Sequence, residues 1–309
     1  MGIRQGAGRD HLNTAKAFAA YESVRQRLPA VARAGACARV HSLDDIADGF
    51  DVFLLDAFGI LNIGETAIPG TPERVAGLQA AGKRVLVVTN AASFPQPALM
   101  AKYARLGYRF TPADVISSRA ATLRALQSEP ARHWGLMAVP SVGHDDLDHL
   151  DVTFLADDAR AYDNAEGFLL LGSGDWTEKR QILLESSLIR HPRPVLVGNP
   201  DIVAPREIGF STEPGSYAHR LADRTGLEPR FFGKPFHNIF DLVFDHLGDG
   251  YDRSRILMVG DSLHTDILGG QAAGVKTALN AGHGFFAGQD VTNHIQNSGI
   301  QPDYILQRP

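Results

Sequence analysis

The chain has little cysteine, no long hydrophobic run and no excess of basic residues. Its 309 residues include a single cysteine, Cys37, so an intramolecular disulfide and a cysteine-rich zinc site are excluded. No stretch approaches the roughly 20 apolar residues of a membrane-spanning helix, and the first residues carry no hydrophobic segment of signal-peptide type. The formal net charge of −5, without a long basic run, gives no support to a nucleic-acid partner. We therefore expect a soluble, cytoplasmic protein that binds neither nucleic acid nor membrane.

Apolar runs and amphipathic segments alternate along much of the chain. The pattern predicts strands at 51–56, 84–88 and 114–117, separated by helices at 72–81 and 96–106. Continuous apolar strands that alternate with amphipathic helices are typical of a parallel sheet covered on both faces. The sequence therefore predicts an α/β fold whose core is a doubly wound, Rossmann-like parallel sheet.

A second α/β segment interrupts the first. Its apolar runs predict strands at 135–139, 152–155, 167–171 and 194–198. A helix is expected at about 175–190, with Asp175 as its N-cap, although Asp175 is also explained as a solvated turn residue. An insertion that follows a strand end lies above the carboxyl edge of the sheet, where open α/β sheets bind ligands.

These patterns predict three parts of the chain. Residues 14–28 have helical spacing, so residues 1–41 are expected to form an N-terminal helical extension whose first dozen residues are frayed. Residues 42–118 and 229–309 are expected to form the core domain. Residues 119–228 are expected to form an inserted α/β cap domain.

Aspartates follow two of the apolar runs at predicted strand ends. Asp56 follows the run 52–55, and Asp261 and Asp266 follow the run that ends at Gly260. Because carboxyl ends of parallel strands meet at one edge of the sheet, we expect these carboxylates to cluster. Clustered carboxylates repel one another unless a hard cation such as Mg²⁺ binds among them. Taken alone, Asp56 is equally well explained as a turn aspartate, and Asp266 as the N-cap of the following helix.

Two further segments carry groups that suit an anionic ligand. The Thr89 hydroxyl and the amides after it, beginning with Asn90, are placed to bind phosphate oxygens at a helix start. Lys234, between glycine and proline, offers a point cation that offsets charge on a carboxylate or a phosphoryl group. Each signal is weak alone, because Thr-Asn is an ordinary exit from a strand and an isolated lysine is usually a solvated surface charge.

In their order, these segments resemble the haloacid dehalogenase-like hydrolase superfamily. The resemblance covers residues 42–309 and depends on DVFLLDAFGIL (51–61), Thr89-Asn90, Gly233-Lys234-Pro235 and GDSLHTDI (260–267). The place of the insertion, together with GNPDIVAP (198–205), is similar to class IIA. That class holds nitrophenylphosphatase-like, phosphoglycolate phosphatase-like and pyridoxal phosphatase-like enzymes with a large α/β cap.

The resemblance implies a nucleophile and a metal site. Asp56 is implied to attack phosphorus and form an aspartyl-phosphate, which water then hydrolyses. Mg²⁺ is implied to be bound by Asp56, the backbone carbonyl of Phe58 and Asp261, with Asp266 a ligand or a partner of a ligand.

The resemblance also implies how the substrate is held. Thr89, Asn90 and Lys234 are implied to bind the phosphoryl oxygens of a small phosphorylated metabolite. The cap is implied to set substrate specificity, since the core motifs contact only phosphate, metal and the reacting oxygen. Relatives dimerise through the cap, so a homodimer is a further expectation.

Phe58 departs from the family pattern. Relatives with phosphatase activity carry a second aspartate here, which protonates the leaving alcohol and later activates water. Such proton transfer raises the reaction rate by about 10²–10⁴-fold, which lowers the activation barrier by roughly 3–5 kcal/mol. Phenylalanine has no titratable group, so the sequence questions this one step.

Three functions remain open at this stage. The first is a Mg²⁺-dependent phosphatase with weak or specialised activity, helped by a good leaving group or by a group such as His264 or His283. For each histidine, an ordinary loop residue that makes one hydrogen bond is the favoured explanation. The second is a protein that binds a phosphorylated metabolite without hydrolysing it. The third is a 2-haloacid dehalogenase, a branch that has an aromatic residue at this position but uses no metal. We take the phosphatase as the leading hypothesis.

Overall fold

The computed structural model describes residues 12–206 and 209–309 and confirms the predicted α/β fold. The strands, numbered in chain order, are β1 (Ala38–Ser42), β2 (Val52–Leu55), β3 (Asn62–Ile63), β4 (Thr66–Ala67), β5 (Arg84–Thr89), β6 (Val115–Ser117), β7 (Trp134–Met137), β8 (Val152–Phe154), β9 (Gly167–Leu170), β10 (Val195–Val197), β11 (Val203–Pro205), β12 (Phe210–Thr212), β13 (Arg230–Phe231), β14 (Ile256–Gly260), β15 (Lys276–Asn280) and β16 (Tyr304–Arg308).

Helices connect most of these strands. They are α1 (Thr14–Ser23), α2 (Thr71–Ala80), α3 (Gln96–Arg105), α4 (Ser118–Leu126), α5 (Ala159–Asn164), α6 (Glu178–Arg190), α7 (Pro214–Thr225), α8 (His237–Leu247), α9 (Leu268–Ala272, after a wide turn at Leu263–Ile267) and α10 (Thr292–Ser298). None of the helices in the described ranges combines the length and apolar character needed to cross a membrane.

The larger sheet sets the position of the functional edge. Within the described residues it has seven parallel strands in the order β1-β16-β15-β14-β2-β5-β6. The chain builds outward from β2 in one direction and from β14 in the other, so the strand order reverses between these two neighbours. Leu55 pairs with Val259 on one side and with Val87 on the other. Residues that follow β2, β14 and β5 therefore emerge side by side at the carboxyl edge, where α/β sheets bind ligands.

The alternating side chains of β2 explain why helices cover both faces of this sheet. Phe53 and Leu55 belong to one buried cluster, which α2 and α3 complete. Val52 and Leu54 belong to another, which α8 completes. Because side chains of a strand point to opposite faces in turn, a run of buried apolar residues requires apolar cover on both sides.

A smaller parallel sheet forms the second α/β unit. Its five strands within the described residues have the order β13-β10-β9-β7-β8, and α6 and α7 pack on one face around Phe168 and Leu170. Because β13 pairs with β10, this sheet extends to Phe231, three residues beyond 228, the predicted end of the cap. The division into core and cap at 119 and 228 stays a prediction.

The structure corrects one predicted helix end. Helix α6 begins at Glu178, and the Thr177 side chain accepts the hydrogen bond from Arg180 N–H at 3.3 Å. The prediction of Asp175 as the N-cap was wrong, because the chain first makes a turn that buries Trp176. The Asp175 carboxylate instead pairs with the Arg180 guanidinium at 3.0 Å.

The N-terminal segment is part of the folded unit. Helix α1 begins after Asn13, whose side chain accepts from Lys16 N–H at 3.0 Å, and it buries Phe18 and Tyr21 against residues of the larger-sheet unit. It ends at Ser23, before the predicted limit of 28, and a short 3₁₀ turn follows. The expectation of a frayed start falls on residues 1–11, which lie outside the described residues.

Asp303 gives a test of how this N-terminal segment is held. Its carboxylate accepts from Arg33 at 2.5 Å, from Lys276 at 3.0 Å and from Thr277 N–H at 3.0 Å. Burial alone would raise the pKa of Asp303, but the hydrogen bonds from Arg33 and Lys276 lower it to about 2. The carboxylate therefore stabilises the fold above the pKa of the unfolded chain, and this contribution is lost as pH falls toward 2.

We expect Asp303→Asn to lower the free energy of unfolding by about 1–2 kcal/mol at pH 7. The difference from wild type should shrink as pH falls from 4 toward 2, measured by urea unfolding at each pH. Asp249→Asn, at an exposed turn, is the matched control. Equal stability of the Asp303 variant and wild type at pH 7 would contradict this account.

Candidate active site

A cavity of about 200 Å³ lies at the carboxyl edge of the larger sheet. Residues that end or follow β2, β5 and β14 form its base, among them Asp56, Thr89 and Asp261. Its sides come from α3, from residues after the smaller-sheet strand β10, including Asp201, and from Tyr21 of α1. The cavity thus lies between the two α/β units, at the edge that the sequence predicted.

Lys234 forms the central ion pairs of this cavity. Its Nζ atom lies 2.6 Å from Asp56 Oδ1 and 2.7 Å from Asp266 Oδ1, and its side chain is 2% exposed. Burial alone would lower the pKa of Lys234, but the carboxylates of Asp266 and Asp56 raise it above its usual value. The lysine is therefore charged at neutral pH, and it fixes the position of the Asp56 carboxylate.

The Asn90 side chain holds the backbone of Lys234. Its Oδ1 accepts from Lys234 N–H at 2.7 Å, while its Nδ2 donates to the Lys234 carbonyl at 2.8 Å and to Asp201 Oδ1 at 2.7 Å. Gly233 approaches so closely that a Cβ there would lie 2.5 Å from Asn90 Oδ1, and its φ is +125°. The side-chain amide of Asn90 is thus already hydrogen-bonded within the protein. Only the backbone N–H of Asn90 is left for the predicted binding of phosphoryl oxygens, which stays a prediction.

Asp56, Asp261 and Asp266 form an acidic cluster. One oxygen of each lies within 4.8 Å of the others. Burial raises the pKa of Asp261 well above its usual range, and the carboxylates of Asp56 and Asp266 raise it further. Burial also raises the pKa of Asp56 to about 7, although Lys234 opposes the change. Ionising all three carboxylates would leave more negative charge than one lysine neutralises, so the cluster keeps protons unless a cation takes their place.

The surroundings of Asp261 leave room for its carboxylate and little else. A Cβ on Gly59 would lie 2.3 Å from Asp261 Oδ2, and one on Gly284 would lie 1.8 Å from it. The backbone N–H of Phe285 donates to the same oxygen at 2.8 Å. The available donors are carboxylate oxygens and the backbone carbonyl of Phe58, which precedes Gly59 in the chain, and such hard oxygen ligands fit Mg²⁺.

Thr89 ends β5 and lines the cavity with 2% of its surface exposed. Its Oγ1 accepts from Ala91 N–H at 3.2 Å. A hydroxyl that accepts one hydrogen bond keeps its own proton for a ligand oxygen. Thr89 therefore lies at a strand end beside the strand of Asp56, as the sequence predicted, but not at a helix start, because α3 begins only at Gln96.

Phe58 is half-buried and lines the cavity. Lys102 Nζ lies 5.1 Å from its ring centroid, and Arg206 Cζ lies 5.6 Å from it. Each cation has an acidic partner, Glu65 for Lys102 at 3.0 Å and Glu213 for Arg206 at 2.9 Å. The ring is therefore held by cation–π contacts from both α/β units, and it offers no proton to a ligand.

The histidines considered as proton donors do not line the cavity. His264 Nε2 lies 2.5 Å from Glu22 Oε1, and its ring stacks on Tyr21 with centroids 5.0 Å apart. Neither His264 nor His283 is among the residues around the cavity. The structure gives no support to either residue as a replacement for a carboxyl at position 58.

Tyrosines that the sequence analysis did not identify as site residues also line the cavity. The Tyr21 hydroxyl accepts from the Ile202 backbone N–H at 3.2 Å, so α1 contacts the segment that leaves the smaller sheet. Tyr103 of α3 is the other. Their helical spacing reads as core packing in the sequence, so no local signal distinguishes them from buried apolar residues.

Comparison with known proteins finds two family models that match this chain. A family model described as haloacid dehalogenase-like hydrolase matches residues 53–150, and an HAD-hydrolase-like model matches residues 231–308. The first range contains Asp56 and Thr89, and the second contains Lys234 and the remaining acidic residues of the cluster.

Curated relatives and solved structures extend this match to most of the chain. Human chronophin is 31% identical over 248 residues, which cover 77% of this chain and 83% of chronophin. Glycerol-3-phosphate phosphatase from Gallus gallus is 32% identical over 283 residues, which cover 83% of this chain and 88% of that protein. A crystal structure of a possible sugar phosphatase from Cytophaga hutchinsonii matches with a TM-score of 0.76 and 24% identity, covering 88% of this chain and 98% of that one. Fold, motif order and these matches agree: the chain belongs to the haloacid dehalogenase-like hydrolase family, in class IIA.

Proposed function

We propose that this chain is a Mg²⁺-dependent phosphatase that hydrolyses a small phosphorylated metabolite through an aspartyl-phosphate on Asp56. The observation that carries the proposal is the contact of the Asp56 carboxylate with Lys234 at 2.6 Å inside the cavity, beside Thr89 and Asp261. Relatives named as phosphatases support the same class of reaction.

Asp56 acts as the nucleophile in this proposal. Its free carboxylate oxygen attacks phosphorus, and the bond from phosphorus to the ester oxygen breaks. Lys234 offsets negative charge on the phosphoryl group, and the Thr89 hydroxyl donates to a phosphoryl oxygen. Water then attacks the phosphorus of the aspartyl-phosphate and restores the Asp56 carboxylate.

Mg²⁺, when bound, supplies positive charge that stabilises the transferring phosphoryl group. Asp56, the Phe58 carbonyl and Asp261 would hold it. The Asp266 carboxylate already lies 2.7 Å from Lys234 Nζ and accepts from Ser262 N–H at 3.1 Å. We therefore assign Asp266 to positioning Lys234 and the cluster rather than to direct binding of the metal.

Phe58 restricts the substrates that this site hydrolyses well. With no carboxyl at position 58, the departing oxygen lacks the usual proton donor, so acyl and phenolic phosphates, which leave readily without a proton, are favoured. We propose that activity toward alkyl phosphates is weak or specialised.

A non-hydrolytic phosphometabolite-binding protein is the second candidate. Phe58 favours it, because the side chain has no proton for the hydrolytic step. The 2-haloacid dehalogenase hypothesis is weaker, because a metal-free reaction leaves the buried Asp261 carboxyl without a function. A homodimer through the cap stays a prediction. The exposed Ile182 and Ile189, seven residues apart on α6, offer an apolar surface for it. A cytoplasmic location likewise stays a prediction.

The nucleophile is tested by Asp56→Asn. We expect turnover of nitrophenyl phosphate and acetyl phosphate with Mg²⁺ to fall by at least about 10³-fold, because the amide cannot form the covalent intermediate. Asp51→Asn, at the opposite end of β2 where Asp51 pairs with Arg255, should retain activity. If wild type and the Asp56 variant are equally inactive on a broad panel of phosphorylated metabolites, the binding-protein hypothesis takes precedence.

The metal site is tested by thermal unfolding with and without Mg²⁺. At a Mg²⁺ concentration ten times its dissociation constant, the free energy of unfolding of the wild type should rise by about 1.4 kcal/mol. Asp261→Asn should abolish this gain. Asp252→Asn, whose side chain accepts from Ser254 N–H on the surface, should keep it.

This stabilisation should depend on pH. A raised pKa means that folded, metal-free protein keeps a proton that the unfolded chain has lost, so its stability falls as pH rises toward about 7, the pKa of Asp56. Mg²⁺ takes the place of the proton, so the gain from Mg²⁺ should rise between pH 5 and 8. A gain that is constant across this range would contradict binding at the acidic cluster.

A further inference from the structure

Tyr103 lies in the cavity that holds the proposed nucleophile. It follows Lys102 on α3, and it lines the cavity together with Asp56 and Phe58. The residue is 1% exposed, and its ring packs edge-on against Phe110 with centroids 5.7 Å apart. The core thus fixes the ring in one place, and the same residue reaches the cavity.

The Tyr103 hydroxyl differs from those of the other buried tyrosines in the described residues. Tyr21 accepts from a backbone N–H at 3.2 Å, and Tyr108 and Tyr162 donate to backbone carbonyls at 2.6 and 2.8 Å. No residue in 12–206 or 209–309 forms a hydrogen bond with the Tyr103 hydroxyl, this oxygen keeps some accessible surface, and the residue lines the cavity. A buried tyrosine hydroxyl normally has a partner, so one that opens into a cavity without one points to a ligand atom.

We propose that Tyr103 is a catalytic residue that donates its hydroxyl proton to the leaving oxygen of the substrate, the part that a carboxyl at position 58 would play; this rests on the proposed phosphatase function. Two observations carry it together. The cavity lining offers no histidine among the described residues, and its carboxyls outside the acidic cluster already have partners: Glu65 pairs with Lys102, Asp201 accepts from Asn90, and Glu213 pairs with Arg206. The Tyr103 hydroxyl has no such partner, and it belongs to the helix that also packs Lys102 over Phe58.

With Tyr103 as donor and then acceptor, every proton is accounted for in both half-reactions. When an Asp56 oxygen bonds to phosphorus, the electron pair of the breaking P–O bond goes to the ester oxygen, which takes the proton from Tyr103 Oη and leaves as the alcohol. The resulting phenolate then takes a proton from the water that attacks the aspartyl-phosphate. Phosphate is released, and Asp56 and Tyr103 return to their starting states.

The environment keeps this hydroxyl protonated. Burial raises the pKa of Tyr103 above its usual value, and the charge of Asp56 raises it further. A phenol is a weaker acid than a carboxylic acid, and an alkyl alcohol is weaker still. Transfer to an alkoxide is therefore favourable, while a nitrophenolate needs no proton. The benefit from Tyr103 should be confined to poor leaving groups.

The test compares leaving groups in wild type and Tyr103→Phe. With Mg²⁺ present, kcat/KM for ethyl phosphate should fall by about 10²-fold, whereas that for nitrophenyl phosphate should change little. Across a series of substituted phenyl and alkyl phosphates, log(kcat/KM) should depend more steeply on the pKa of the leaving group in the variant. Adding Phe58→Asp to Tyr103→Phe should restore turnover of ethyl phosphate.

Tyr108→Phe removes another buried hydroxyl, the donor to the Leu61 carbonyl, and should leave the leaving-group dependence unchanged. An equal loss on all substrates, or no loss on ethyl phosphate, would overturn the role of Tyr103 while leaving the phosphatase proposal intact. Absence of turnover by wild type on any phosphate ester or acyl phosphate would instead remove the phosphatase proposal, and the role of Tyr103 with it.

Discussion

The ion pairs of Lys234 with Asp56 and Asp266 are the interaction on which the rest of the site depends. All of these groups are buried, and removing one partner of a buried ion pair costs about 3–5 kcal/mol, because a charge is left without compensation. The backbone around Lys234 is correspondingly constrained: Asn90 bonds to both its N–H and its carbonyl, and Gly233 leaves room for the Asn90 amide. The lysine thus fixes the nucleophile, and the asparagine fixes the lysine.

The described structure joins the two α/β units around this centre. Asn90, which directly follows β5, also donates to Asp201, which lies in the segment after the smaller-sheet strand β10. Helix α1 adds a second connection, because Tyr21 accepts from Ile202 N–H and Glu22 pairs with His264 beside the acidic cluster. The extension at the start of the chain therefore encloses one side of the cavity, which explains why its apolar residues are buried rather than exposed.

Much of the fold followed from the sequence because its strands are short, wholly apolar runs between amphipathic helices. The runs at 51–56 and 84–88 lie within a residue or two of β2 and β5. Short elements were missed, including β1 and α5, because a few residues give too little periodicity to identify. Asp175 was chosen as a cap from residue type alone. Capping depends on where the chain turns, and Thr177 is the residue at that point.

By itself, the sequence determined the α/β class, the family and the polar groups at strand ends: Asp56, Thr89, Lys234 and the acidic pair after β14. Residue types and their place after apolar runs are local properties of the chain, so they can be seen without a structure. Only the tertiary structure decided which groups share the cavity. It paired His264 with Glu22, engaged the Asn90 side-chain amide with the backbone of Lys234, and placed Tyr103 in the cavity of the nucleophile with a hydroxyl that has no hydrogen-bond partner among the described residues. Contacts between residues far apart in sequence depend on packing in three dimensions, and helical spacing cannot show whether a buried tyrosine faces the core or a ligand.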